Sequence, residues 1–357
     1  MDDFLIIGGG IAGLSAGARL SRLGRTVLIE AESNLAYHAS GRSAAMFEEH
    51  YGAPRVVALN RASRHYHETE YGGVLSPRGV MLIGGLGQED ALAHDLKTMN
   101  LKRISFQEAQ SKVPILNAKS IVGIGYHAEA WDIDTDRLMS NFAREIRGNG
   151  QIVTAAKATK ITKETDGWHV ETTNGSFSAK ILVNAAGPWA DDIATMAEIK
   201  PIKLQPFRRS IARISAPNGH DVSTWPMFMG ANESWYAKPD AGALIVSPEE
   251  QHPMPAHDAW ADDMVLAEGI ARYQDHVTEP VTRMISNWAG LRTFAPDRNL
   301  VLGPAPDDTS FIWCAGQGGY GFQTAPAASQ LLADLIAGRS PQFSPDVVQD
   351  FSPSRFQ

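Results

Sequence analysis

Short apolar runs and helical periodicity alternate from the start of the chain. Phe4–Ile7 reads as a buried strand, Ile11 to Leu23 repeats apolar residues at helical spacing, and Thr26 to Glu30 returns to a β-rich run. Together they make a βαβ unit. Helical patterns follow at 54–70 and 136–147, and strand patterns at 80–83, 121–127, 151–153, 168–172 and 180–184. Residues 202–246 read mainly as strands punctuated by Pro and Gly, and helical character returns at 259–273. The last third holds strands at 300–303 and 311–315, a Gly-rich turn, and an apolar helix at 325–336. The pattern predicts an α/β fold in which a Rossmann-like nucleotide-binding domain (1–76, 135–198, 286–345) interleaves with a smaller, sheet-rich α+β domain (77–134, 199–285). Residues 346–357 are expected to form a surface extension, since the tail from Ser340 shows little periodicity.

Composition narrows the function classes. A chain of 357 residues with 43% apolar content supports two domains with sizeable cores. A net charge of −8 disfavours a nucleic-acid partner, which needs a basic surface. The single cysteine, Cys314, can form neither an intrachain disulfide nor a zinc cluster, so a buried thiol, no metal and a reducing, cytoplasmic setting are expected. Glycines interrupt the apolar run 4–18, which argues against a membrane span.

The chemistry begins at Gly8-x-Gly10-x-x-Gly13, which follows a strand and opens a helix. Gly8 takes a tight turn, Gly10 admits a pyrophosphate to the backbone, and Gly13 lets the helix pack on the sheet, so Gly8, Gly10, Ile11, Ala12 and Gly13 are cofactor candidates. Glu30, followed by Ala31, ends the second strand, where a carboxylate accepts from ribose hydroxyls and repels a 2′-phosphate. NADP is thereby disfavoured. Further small-residue approaches occur at Ser40-Gly41-Arg42-Ser43-Ala44-Ala45, at Ala185-Ala186-Gly187 with Trp189, and at Gly318-Gly319-Tyr320-Gly321. These suit a long, extended cofactor.

With the blocks at 38–45, 183–187, 205–210, 233–240, 288–292 and 317–321, the chain resembles the D-amino acid oxidase-like, glutathione-reductase-type flavoprotein family, and within it the D-arginine dehydrogenase branch. That resemblance implies noncovalent FAD, with Ala158, Gly290, Arg292 and Gln323 joining the cofactor candidates above. It also implies a substrate clamp: Arg209, Tyr236 and Arg292 for a carboxylate, Tyr51 beside the amine and Cα, and Gly319 nearby. Two guanidinium forks and a phenol suit an anion on chemical grounds as well. The branch carries a glutamate after Leu75-Ser76-Pro77-Arg78 and a histidine after Ala45, where this chain has Val80 and Met46. Without those groups a buried cationic side chain lacks a counter-charge, which points to a neutral or apolar substrate in a pocket touched by Met46, Val80 and Met229. Glu48, two residues beyond Met46, is one candidate for the missing charge, but Glu48 and Glu49 read rather as a solvated acidic pair; His50 is either a proton relay, like Tyr51, or a surface loop histidine.

The expected reaction is hydride transfer from Cα of a small amino acid, of D configuration by the resemblance, to flavin N5. The imino acid then hydrolyses to a 2-oxo acid and ammonia. Oxygen, a quinone or an electron-transfer protein would accept the electrons. Two alternatives stay open: oxidation of a 2-hydroxy acid or an N-substituted glycine, and a flavin-binding subunit of a larger dehydrogenase.

Overall fold

The computed structural model describes residues 1–357. Side chains alternate across the first two strands, β1 (Asp2–Ile7) and β2 (Thr26–Ile29). Phe4, Ile6 and Leu28 enter one core, and Leu5, Ile7, Val27 and Ile29 enter another. A sheet buried on both faces results, as the unbroken apolar runs require. Strand Gly150–Val153, β2, β1, strand Gly175–Asn184 and strand Phe311–Ala315 lie parallel in that order, and Val301–Pro304 adds an antiparallel edge. The hairpin Ala158–Glu164/Gly167–Thr172 continues from the first half of strand Gly175–Asn184. Helix α1 (Ile11–Leu20) packs among helices Thr135–Gly148 and Gly321–Ile336. The approach is close, because a Cβ on Gly17 would lie 2.7 Å from Ile146 Cδ1.

A second, nine-stranded sheet forms the other unit. Its long strand Gln205–Ser215 pairs with Met284–Phe294 and Ala243–Ser247, and Val80–Gly85 pairs with Ile121–His127 further across. Met81, Ile83, Ala212 and Val246 enter a core beneath helix Asp263–Asp275, while Val80, Leu82, Ile211 and Tyr236 face the first unit. The α/β architecture with its interleaved sheet-rich unit is as expected. No helix is long and apolar enough to cross a membrane.

Several expected boundaries move. Residues 286–294 belong with the second sheet, because strand Met284–Phe294 pairs along its length with Gln205–Ser215. The tail is no loose extension: Phe351 is fully buried, its carbonyl accepts from Leu302 N–H, and Arg355 pairs with Asp297 at 2.7 Å. Helix Gly321–Ile336 starts four residues before the expected Ala325. Helix Asp263–Asp275 starts later than the apolar pattern at 259, because Asp262 accepts from the Met264 and Val265 N–H groups and sets the first turn. Helix Glu89–Thr98 and strand Ala158–Glu164 gave no clear sequence signal, each burying few side chains.

Candidate active site

One cavity of about 760 Å³ runs from the turn between β1 and α1 to the face of the second sheet. At its first end Gly8 holds φ = 114°, and a Cβ there would come 2.3 Å from Ala185 O. The turn therefore demands glycine. Gly10 leaves the helix without a side-chain cap and lines the cavity beside Ile11 and Ala12. Ile11 N–H donates to Ser40 Oγ at 3.0 Å, which fastens residues 39–42 across the helix start. Glu30 accepts from the N–H groups of Gly9 at 2.5 Å and Glu32 at 2.8 Å, so its carboxylate is pinned at the cavity wall. Ala31, Ala158, Ala185, Ala186, Gly187 and Trp189 complete this end.

Ser43, Ala44, Ala45, Gly290, Gly318, Gly319, Gly321 and Gln323 line the middle. A Cβ on Gly290 would sit 3.6 Å from Ala39 Cα and Arg42 Cβ. Three of the candidates do not reach the cavity. Gly13 instead meets Gly8, where a Cβ would fall 1.9 Å from Gly8 O, and Gly41 meets Ala36 O in the same way. Both are packing glycines. Tyr320 packs its ring against Tyr51 at 5.6 Å between centroids. Arg42 lines the cavity, but its guanidinium is spent elsewhere: it donates to the carbonyls of Tyr37, Ala259 and Ala289 and to Asp258. It ties the two units together and is not free for an anion.

At the far end Arg209 and Arg292 meet because Arg209 pairs with Gly290 and Phe207 with Arg292 on adjacent antiparallel strands, placing both arginines on one face. Tyr51 and Tyr236 line the same chamber. Arg292 Nε and Nη2 are buried without a partner, and so is Arg209 Nη2. Burial, followed by the charge of Arg209, holds the Arg292 guanidinium below its ordinary value. Burial acts the same way on Arg209 but is outweighed by Glu249, whose Oε1 accepts from Arg209 Nη1 at 2.8 Å, together with Tyr236, Tyr51 and Glu233, so its value is raised. Burial pushes Tyr236 up to about 12 and, with the nearby Glu233 and Glu249, raises Tyr51 well above the phenol range. Gly319 backs the clamp, since a Cβ there would lie 3.0 Å from Arg292 Nη1.

Two carboxylates revise the sequence reading. Glu249 was not anticipated; it is 6% exposed, lines the chamber and holds φ = 56°, a conformation costly for a glutamate. Glu48 is not solvated. It is 5% exposed, lines the chamber, and has Oε1 within 3.4 Å of both His50 Nδ1 and His127 Nε2, while Oε2 is buried without a hydrogen bond. His127 stands opposite Val80 on the neighbouring strand, so a buried carboxylate, Glu48, lies beside the neighbour of that apolar position. Glu49 does sit outward, paired with Arg61 and Arg64. Met46, Val80 and Met229 all line the chamber, whereas Cys314 lies behind it with burial pushing its thiol up to about 12.

The family model described as FAD dependent oxidoreductase matches residues 3–335. The chain belongs to this family. It is 25% identical to dimethylglycine dehydrogenase of Homo sapiens over 99% of this chain, although it spans only 44% of that protein's length. N-methyl-L-tryptophan oxidase of Citrobacter koseri is 22% identical, with 96% of each chain covered. The fold matches that of L-proline dehydrogenase from P. horikoshii with a TM-score of 0.84 at 21% identity, over 99% of this chain and 97% of that one. The protein is thus an FAD-dependent oxidoreductase. The residues present fit the cofactor: a glycine turn and a helix start whose cap residue, Gly10, has no side chain, for the pyrophosphate, the pinned Glu30 for a ribose, and a stretch lined by small residues for a planar ring.

Proposed function

We propose that this FAD-dependent oxidoreductase oxidises the C–N bond of a small α-amino acid or N-substituted glycine. The observation that carries this reading is the set of buried guanidinium donors without protein partners, Arg292 Nε and Nη2 with Arg209 Nη2, in a chamber continuous with the cofactor cavity. Buried donors of this kind are costly unless a ligand completes them, and a carboxylate does so with charge-assisted bonds of about 1.5–3 kcal/mol each. FAD, when bound, supplies the two-electron acceptor for the hydride leaving Cα. The arginines fix the carboxylate, and Tyr51 and Tyr236 bound the space around Cα. The imino acid released from a primary amino acid then hydrolyses to a 2-oxo acid and ammonia, and that from an N-substituted glycine to glyoxylate and the substituted amine.

The relatives named for dimethylglycine, N-methyl-L-tryptophan and L-proline support the C–N assignment. The D configuration rests on the sequence resemblance. The side-chain end is apolar at Met46, Val80 and Met229 but contains the buried Glu48, so a side chain bearing a hydrogen-bond donor is accommodated there, and the argument for a purely neutral substrate loses its basis. The test is anaerobic mixing of the purified holoenzyme with D- and L-amino acids, N-substituted glycines and 2-hydroxy acids, following loss of oxidised flavin absorbance. Bleaching by an amino acid that falls at least about a hundredfold in kcat/KM in Arg292→Ala is expected. Bleaching by hydroxy acids alone would overturn the reading.

A further inference from the structure

Resting on the reading of the site as an amine-oxidising one, we propose that Glu249 binds the substrate's ammonium group and takes its proton before Cα is oxidised. The chamber holds unpartnered buried donors on Arg209 and Arg292 and two carboxylates with an unpartnered buried oxygen, Glu48 Oε2 and Glu249 Oε2, of which only Glu249 is bonded to the arginine clamp. An amino acid zwitterion complements both, its carboxylate on the guanidinium donors and its ammonium on Glu249. Arg209 joins the two halves, since Nη1 binds Glu249 Oε1 at 2.8 Å while Nη2 stays open. Glu249 is only 6% exposed, which sets it apart from the exposed loop glutamates Glu198 and Glu233 that share its positive φ.

The chemistry requires such a group. An ammonium nitrogen has no lone pair with which to assist departure of hydride from Cα. In the proton step one N–H bond breaks, its electron pair stays on nitrogen, and an O–H bond forms at Glu249 Oε2. The substrate becomes a neutral amine and Glu249 a neutral acid. The Cα hydrogen then leaves with its electron pair to the oxidised FAD, so substrate loses two electrons and the cofactor gains them. Burial raises the Glu249 carboxyl above its ordinary value, opposed by Arg209 and, more weakly, Arg292, and reinforced by Glu233. Tyr51 and Tyr236 also face it. The direction brings the acid closer to an amine and makes it a better proton acceptor.

The experiment uses the holoenzyme as wild type and Glu249→Gln, which keeps a side-chain oxygen for Arg209; matched thermal midpoints verify folding. Two ligands that cannot be oxidised provide a readout independent of activity: 2-aminoisobutyrate, which has an amine but no Cα hydrogen, and isobutyrate, which has no amine. Their dissociation constants are read from perturbation of the flavin spectrum. In the wild type the aminated ligand binds more tightly; in Glu249→Gln that preference falls at least tenfold while isobutyrate binding is kept. Anaerobic flavin reduction by the best amino acid at pH 7 falls at least about a hundredfold. Its rise with pH moves to the range of the free substrate ammonium. A wild type that amino acids reduce, with a variant that keeps the rate, the pH profile and the ligand preference, overturns the proposal alone. A wild type that no amino acid reduces overturns both the amine-oxidase reading and this proposal.

Discussion

Arg209 and Arg292 are the same residue type lining one cavity, yet their energetic roles differ. Arg209 is paired with a buried carboxylate, whereas Arg292 Nε and Nη2 have no protein partner. Removing one member of a buried pair strands the other charge, at about 3–5 kcal/mol, while removing an unpartnered buried cation relieves a desolvation cost. Arg209→Ala should therefore lower the denaturation midpoint, and Arg292→Leu should leave it unchanged or raise it while weakening carboxylate binding. Equal midpoint losses would contradict this division. Both arginines were legible in the sequence because they sit in family blocks. Glu249 was not, since a glutamate after Ser247-Pro248 looks like a solvated turn residue, and only the pairing of distant strands places Arg209 against it. Glu48 was misread for the same reason: its neighbours His127 and Gln323 are far away in sequence.

At the level of elements, helix α2 (Pro54–Thr69) leans on the helix Gly321–Ile336, joined by a hydrogen bond between His67 Nε2 and Gln323 O at 3.1 Å. Burial depresses His67 from 6.5 to about 4. Below pH 6.5 the unfolded chain takes up a proton that the folded chain refuses, so this contribution is complete above pH 6.5 and is lost as pH falls toward about 4. At 1.36 kcal/mol per pH unit it amounts to about 3 kcal/mol. Denaturation midpoints measured between pH 7 and pH 4 should fall less steeply in His67→Gln, and a variant with the wild-type slope would assign the acid sensitivity to other groups. Elements with a strong local signal were readable, among them β1, α1, β2 and strands Ile121–His127 and Phe311–Ala315. Helix Glu89–Thr98 was not, because only Leu92 and Leu96 of its ten residues are buried.

Across the whole molecule, the ends of the chain matter as much as its middle. Phe351 lies at 0% exposure against the core that also holds α1. Phe351→Ala should cost about 3–5 kcal/mol, read as a lowered denaturation midpoint, and an unchanged midpoint would mean that the tail does not brace the fold. The interleaving of the two units has a further consequence in the cell. β1 gains its second parallel neighbour only when residues 175–184 exist, and that strand gains its own second only at 311–315. At about 5–20 residues per second, a ribosome needs roughly 15–60 s to reach that point. Throughout that interval an apolar strand edge is bare and no complete seat for flavin exists. Loading with cofactor must follow synthesis of these strands, so a shortage of flavin would leave behind folded but empty chains.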